Sequence, residues 1–140
     1  MYLGNPWSPA AEAVIQRLSL TPMTVPTCSD LSTDSSYRID NQLCSAMVDV
    51  PPNYNLTFVL RPEGISLGWS NILHYTITNG DTGANARMPA IWFIPGTTRL
   101  HVRLGSASDW NWGIDTDALP MDSATKVTVL ANGRDVRIFF

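Results

Sequence analysis

Lysine is almost missing from this chain of 140 residues: Lys126 stands alone beside eight arginines. Glutamate is nearly as scarce, with only Glu12 and Glu63. Acidic residues still outnumber basic ones, 12 to 9, which gives a net charge of −3. That balance argues against nucleic acid as a partner, because phosphate binding needs a concentrated positive surface. No apolar run approaches the roughly 18 residues of a membrane-spanning helix. The opening MYLGNPWSPAAEAV has neither a basic start nor a continuous apolar stretch, so it does not read as a signal peptide. Either a signal has been removed or the chain belongs to something longer. Charged residues make up only 15% and hydrophobic ones 44%, the reverse of a disordered composition and enough for the core of one domain.

Two cysteines are present, Cys28 and Cys44, enclosing the polar stretch CSDLSTDSSYRIDNQLC. A disulfide between them would close a loop of about 17 residues, worth roughly 3 kcal/mol in the chain-entropy model; two free buried thiols are the alternative. Asn55-Leu56-Thr57 is an N-glycosylation sequon after the turn-like Pro51-Pro52-Asn53. The cysteine pair and the sequon together point to an extracellular glycoprotein, secreted or at the cell surface, with a glycan on Asn55.

Residues 1–27 form an N-terminal arm and linker distinct from residues 28–140. Ser8-Pro9 resembles a helix start, and Ala11, Val14, Ile15 and Leu18 follow helical spacing. Val14, Leu18 and Leu20 also fit strand alternation, so the arm is expected to contain a short helix or a strand, the helix being favoured. The proline-spaced TPMTVPT beyond it reads as an extended linker.

After residue 37 the signals are those of strands. Leu56–Leu60, Leu73–Ile77, Arg99–Leu104, Lys126–Leu130 and Asp135–Phe140 carry alternation, and Ala90–Ile94 is apolar enough to be buried on both faces. Turns at Asn79-Gly80-Asp81, Pro95-Gly96, Gly105-Ser106 and Asn132-Gly133 separate them, the last being the strongest hairpin signal. Short strands at this spacing predict an all-β chain folded as an antiparallel β-sandwich.

The order Trp69-Ser-Asn-Ile-Leu-His74, a polar glycine loop, Arg87-Met-Pro-Ala-Ile-Trp92, Thr98-Arg-Leu-His-Val-Arg103, a Trp-Asn-Trp loop and a terminal hairpin resembles the concanavalin A-like jelly roll, laminin-G-like modules in particular. The resemblance covers about residues 54–140. The region is short for that fold and stops in a strand, so a complete module would be expected to continue. Many enzymes of the superfamily are glycoside hydrolases, which the resemblance implies would need clustered acids alternating along one strand. Glu12 and Glu63 do not meet that need. Neither His74 nor His101 is accompanied by a serine or cysteine elbow or by zinc-ligand spacing; both are expected to meet solvent or a partner. The chain therefore reads as a non-enzyme without a resident cofactor. Laminin-G-like modules often bind calcium at their loop rim, and Asp109, Asp115 and Asp117 are the candidates for it here.

Arg99, His101 and Arg103 share one face of their strand, and Leu100, Val102 and Leu104 the other. The aliphatic face should be core and the basic stripe a surface for a glycan or partner, joined by Trp110 and Trp112. The tryptophans, Trp69 and Trp92 included, are expected to serve mainly as core or rim packing. Two functions follow. One is a structural subunit that self-assembles head to tail, an arm carrying Trp7, Val14, Ile15, Leu18 and Leu20 filling an open sheet edge of a neighbour. The other is a lectin-like carbohydrate-binding module.

Overall fold

Alternation of buried and exposed side chains with a period of two organises most of the chain, and the elements it produces are strands. The structure is a computed structural model that describes residues 2–3, 9, 11–22, 36–38, 42–43, 51–78, 80–106 and 108–140; for 2–3, 17–22, 36–38 and 42–43 it describes the backbone alone. Cys28, Cys44 and Trp7 lie outside the described residues.

Eleven strands and no helix are found among the described residues: β1 (Tyr2–Leu3), β2 (Ala13–Pro22), β3 (Ser36–Arg38), β4 (Gln42–Leu43), β5 (Asn53–Pro62), β6 (Ser70–His74), β7 (Ala90–Phe93), β8 (Arg99–Arg103), β9 (Gly113–Ala118), β10 (Thr125–Asn132) and β11 (Asp135–Phe139). They form two antiparallel sheets, ordered β4-β1-β6-β7-β8-β9 and β11-β10-β5-β2-β3. The architecture is all-β and fits a β-sandwich. Along β5, Tyr54, Leu56, Phe58 and Leu60 are buried; along β10, Val127, Val129 and Ala131 are. They meet Ile72, Leu73, Ile91, Phe93, Leu100 and Val102 of the other sheet in one core. Burying a side chain of this size contributes about 1.5–3 kcal/mol, so this double row is the main source of stability.

Three sequence expectations are corrected here. Residues 13–22 are strand β2 and not a helix. Ala11, Ala13 and Ile15 are buried in alternation, and β2 pairs with β5 over Ala13–Pro22 and with β3 over Val14–Gln16. Alanines that read as helix formers are small residues packed beneath a sheet. Ile15 is fully buried in the chain's own core and Val14 is half-buried. Leu18 and Leu20 lie farther along the same strand.

The second correction concerns Leu73–Ile77. The strand there is β6, which starts earlier, at Ser70, and ends at His74; a register shift between Asn71 and Leu73 breaks the alternation, and Ile77 is exposed. The third is β9, which gave no strand signal because its sequence is GIDTDA. Its place is secured by Thr116. The β8–β9 register shifts between Arg99 and His101, and the Thr116 hydroxyl accepts the Leu100 N–H at 3.0 Å where the ladder is interrupted.

The Asn132-Gly133 signal is realised as a hairpin: Asn132 pairs with Asp135, and Gly133 opens the two-residue loop at φ +58°. A positive φ in that position is what glycine supplies.

Candidate functional site

Leu100 and Val102 point into the core, so His101 and Arg103 must lie on the outer face of the six-stranded sheet. Antiparallel pairing then fixes their neighbours. Trp92 of β7 stands beside His101 on one side, and Asp115 of β9 on the other. Trp69, next to β6, brings its ring centroid within 4.6 Å of the His101 ring; Trp92 lies 6.0 Å from His101 and 5.5 Å from His74. A row of four rings thus crosses three strands on the side away from the core.

Two loops complete this surface. The segment after β8 folds back on itself: Leu104 N–H donates to the Trp112 carbonyl at 2.9 Å, and Ser106 N–H to the Asp109 carbonyl at 2.8 Å. Gly105 makes this approach close, since a Cβ there would sit 3.0 Å from the carbonyl oxygens of both Arg87 and Trp110. The loop sets Trp110 over Arg87. The Arg87 guanidinium carbon lies 4.7 Å from the Trp92 ring centroid and 4.6 Å from that of Trp110, so the cation lies over two indoles. Its edge is held as well: Nε donates to the Asp81 carbonyl at 2.8 Å, and Nη1 donates to Asn111 Oδ1.

The result is a cleft of about 290 Å³ lined by Trp69, Asp81, Arg87, Trp92, His101, Trp110 and Asn111. Trp69 and Trp110 remain 44% and 38% exposed, enough to offer part of their rings to a ligand, whereas Trp92 is buried at the floor. None of the three belongs to the core between the sheets. Of the two packing roles expected for them, core or rim, the core is excluded: β7 sends Ile91 and Phe93 inward and Trp92 outward.

Electrostatics tighten the floor. Asp115 Oδ1 accepts from His101 Nδ1 at 2.7 Å and from Arg103 Nη2 at 2.8 Å. Burial opposes ionisation of Asp115, but the His101 hydrogen bond and the Arg103 charge outweigh it and hold the carboxyl below its ordinary range. Burial and the Arg103 cation lower the His101 pKa, against the pull of Asp115. His101 is therefore neutral at pH 7, and Asp115, which can only accept, fixes its proton on Nδ1. His74 is fully buried, where solvent or a partner was expected; burial lowers its pKa too, and its Nε2 meets the Ala86 carbonyl at 2.5 Å.

The proposed basic stripe is thus only partly a surface. Arg99 is exposed, with Nε donating to the Thr116 carbonyl at 2.8 Å; Arg103 is only 9% exposed and acts beneath His101. His101 and Trp110 reach the cleft, whereas Trp112 turns to a separate depression of about 190 Å³ with Tyr54, Met88 and Leu104. Asp109, Asp115 and Asp117 are not gathered into a ligand set: Asp115 is engaged by His101 and Arg103, and Asp109 Oδ1 accepts the Asn111 N–H at 3.0 Å. Among the described residues no cluster of His, Cys, Asp or Glu has the makings of a metal site. Asn55 is exposed on β5, facing away from the core, and its Oδ1 accepts the Thr57 hydroxyl at 3.2 Å.

Arg87, Asp81 and Asn111 were missed as site residues because they come from loops with no periodicity. Trp92 was within reach. Folding the chain back at Pro95-Gly96 with Ile91 and Val102 both inward makes Trp92 the neighbour of His101. Compared with known protein families, curated proteins and solved structures, the chain matches none.

Proposed function

We propose that the chain is a lectin-like carbohydrate-binding module, with the sugar seated in the cleft on the outer face of the six-stranded sheet. The observation that carries this reading is the placement of Trp69 and Trp110, half-exposed around the cleft while the core is filled by aliphatic residues, phenylalanine and tyrosine. Indole faces take the C–H side of a pyranose, and a few fixed polar groups select its hydroxyls. Asp81, Asn111 and His101 supply acceptors and donors at the cleft wall. The concanavalin A-like topology, an extracellular setting and a glycan on Asn55 belong to the same proposal. In this reading the module binds and does not catalyse: His101 and Asp115 form a hydrogen-bonded pair, but among the described residues no hydroxyl or thiol side chain lines the cleft beside it for the pair to activate. Titrating neutral and acidic oligosaccharides while following tryptophan fluorescence tests the reading. Saturable quenching that disappears in Trp110→Ala is expected; no response to any sugar would overturn it.

A second reading, self-association, is favoured by strand β11. It lies at the border of the five-stranded sheet, and the adjacent Phe139 and Phe140 are 51% and 57% exposed. An unpaired edge recruits strands. In this form of the proposal the contact is made by β11 and not by residues 13–22. Sedimentation over a range of concentrations tests it, and a monomer throughout would sink it.

A further inference from the structure

We infer that the cleft selects sugars bearing an oxyanion, a carboxylate or a sulfate ester, and that Arg87 is the residue that selects them. This rests on the carbohydrate reading above and goes beyond it by naming the ligand class. The guanidinium has five N–H donors. One, on Nε, is used by the Asp81 carbonyl, and one on Nη1 is used by Asn111. The remaining Nη1 hydrogen and both Nη2 hydrogens are left to meet the oxygens of a carboxylate or sulfate.

Arg87 is also a cation without an ion-pair partner among the described residues. The acid closest to it in the cleft, Asp81, offers it a main-chain carbonyl and not its carboxylate. Arg103, by contrast, is neutralised by Asp115. The two indoles against Arg87 limit water there and restrict the side chain. An ordered, half-buried cation beside exposed tryptophan rings fits a ring that carries its own negative charge. A neutral sugar would find the same stacking surfaces but would leave the cation with only the longer-range pull of the Asp81 carboxylate.

The test uses the full chain and three matched pairs of tetrasaccharides: gluco- with glucurono-, galacto- with galacturono-, and manno- with mannurono-, each pair of one linkage, plus a sulfated form of the best binder. Isothermal titration is run at 50 mM and 500 mM NaCl. At least tenfold tighter binding of a uronate than of its neutral partner is expected, with the gap narrowing severalfold at high salt. Arg87→Gln should bring the two members of the pair to equal affinity. The salt series on the unmodified protein decides the matter if that variant does not fold. Tighter binding of the sulfated form would support the oxyanion rule and identify sulfate as its source. Equal, salt-independent affinity within every pair would overturn selection by charge while leaving sugar binding standing. No binding to any member would overturn both.

Discussion

His101 and Asp115 face each other across the β8–β9 pair, joined by a 2.7 Å hydrogen bond from Nδ1 to Oδ1. The bond places a neutral imidazole in a cleft that Arg87 and Asp81 also line. Burial of the two histidine rings, against the pull of this bond on His101, makes the fold sensitive to acid. The folded-state pKa values of His74 and His101 are both lowered from 6.5, chiefly by burial. The unfolded chain therefore binds more protons than the folded one just below pH 6.5, and stability must fall as pH falls. It is complete above about 6.5 and is lost as pH drops through the folded values. Asp115, held below 3.8, adds a further loss in stronger acid. Thermal melts between pH 8 and pH 4 should show Tm level above 6.5 and declining below it, with a shallower decline in His101→Gln. A Tm unchanged from pH 7 to pH 5 would contradict the burial of both rings.

Arg103 is the residue for which facing away from the core and being exposed part company. It lies on the opposite face from Val102, yet its Nη1 donates to the Val102 carbonyl at 3.0 Å and its Nη2 pairs with Asp115. Arg103→Ser is expected to cost about 1–3 kcal/mol, the usual loss for a buried hydrogen-bonded charge with one partner partly solvated. Arg99→Ser, on the same face but exposed, should cost under about 0.5 kcal/mol. Val102→Asp should unfold the protein. Urea titration checks all three; equal costs for the two arginines would mean that Arg103 reaches solvent.

How far the sequence reveals this arrangement depends on whether one face of a strand meets water. In β5, β8 and β10, polar residues alternate with core residues, and period two is plain. Strand β7 is covered on both faces, so Ala90–Phe93 by itself does not mark Trp92 as outward; only folding it back against β8 does. Strand β9 hides differently: Asp115, Thr116 and Asp117 look like loop, because β9 is paired with β8 alone and its buried residue is a threonine that bonds to the Leu100 backbone. His101 and Trp110 were visible as site residues from the alternation and the Trp-Asn-Trp loop. Arg87 was not, since its role arises from two tryptophans that only the folded chain brings to it.

Two glycines should separate stability from binding. A Cβ at Gly113 would lie 2.0 Å from the Val102 carbonyl oxygen, where β8 and β9 pair. Gly113→Ala must push the strands apart and is expected to cost roughly 2–4 kcal/mol. At Gly105 the added carbon meets the Arg87 and Trp110 carbonyls at 3.0 Å, which a small loop shift relieves. Gly105→Ala should therefore lose little stability but lift Trp110 from Arg87, weakening sugar binding severalfold. Melting temperature and oligosaccharide titration on both variants give the comparison. Full affinity in Gly105→Ala would show that the position of Trp110 is not what the ligand reads.

Removing residues 1–20 tests whether the first long strand belongs to its own sheet. Strand β2 is hydrogen-bonded to β5 on one side and β3 on the other, and Ala11, Ala13 and Ile15 lie in the core with Leu56, Phe58 and Leu60. Deleting it would uncover that part of the core and leave β5 with a long row of unpaired backbone groups. The truncated protein is expected to be insoluble or unfolded, judged by circular dichroism and by recovery after centrifugation. Ile15→Ala in the full chain, a milder change, should cost about 2–5 kcal/mol through the lost methyl groups and the cavity they leave. The opposite result is informative. A truncated protein that stays folded, soluble and monomeric, and that binds a peptide of residues 1–22, would show that β5 accepts this strand from outside, and a neighbour's copy could then replace it. The two variants have to agree: if the strand is integral, Ile15→Ala lowers Tm at every protein concentration by the same amount, whereas a strand donated by a neighbour makes that loss concentration-dependent.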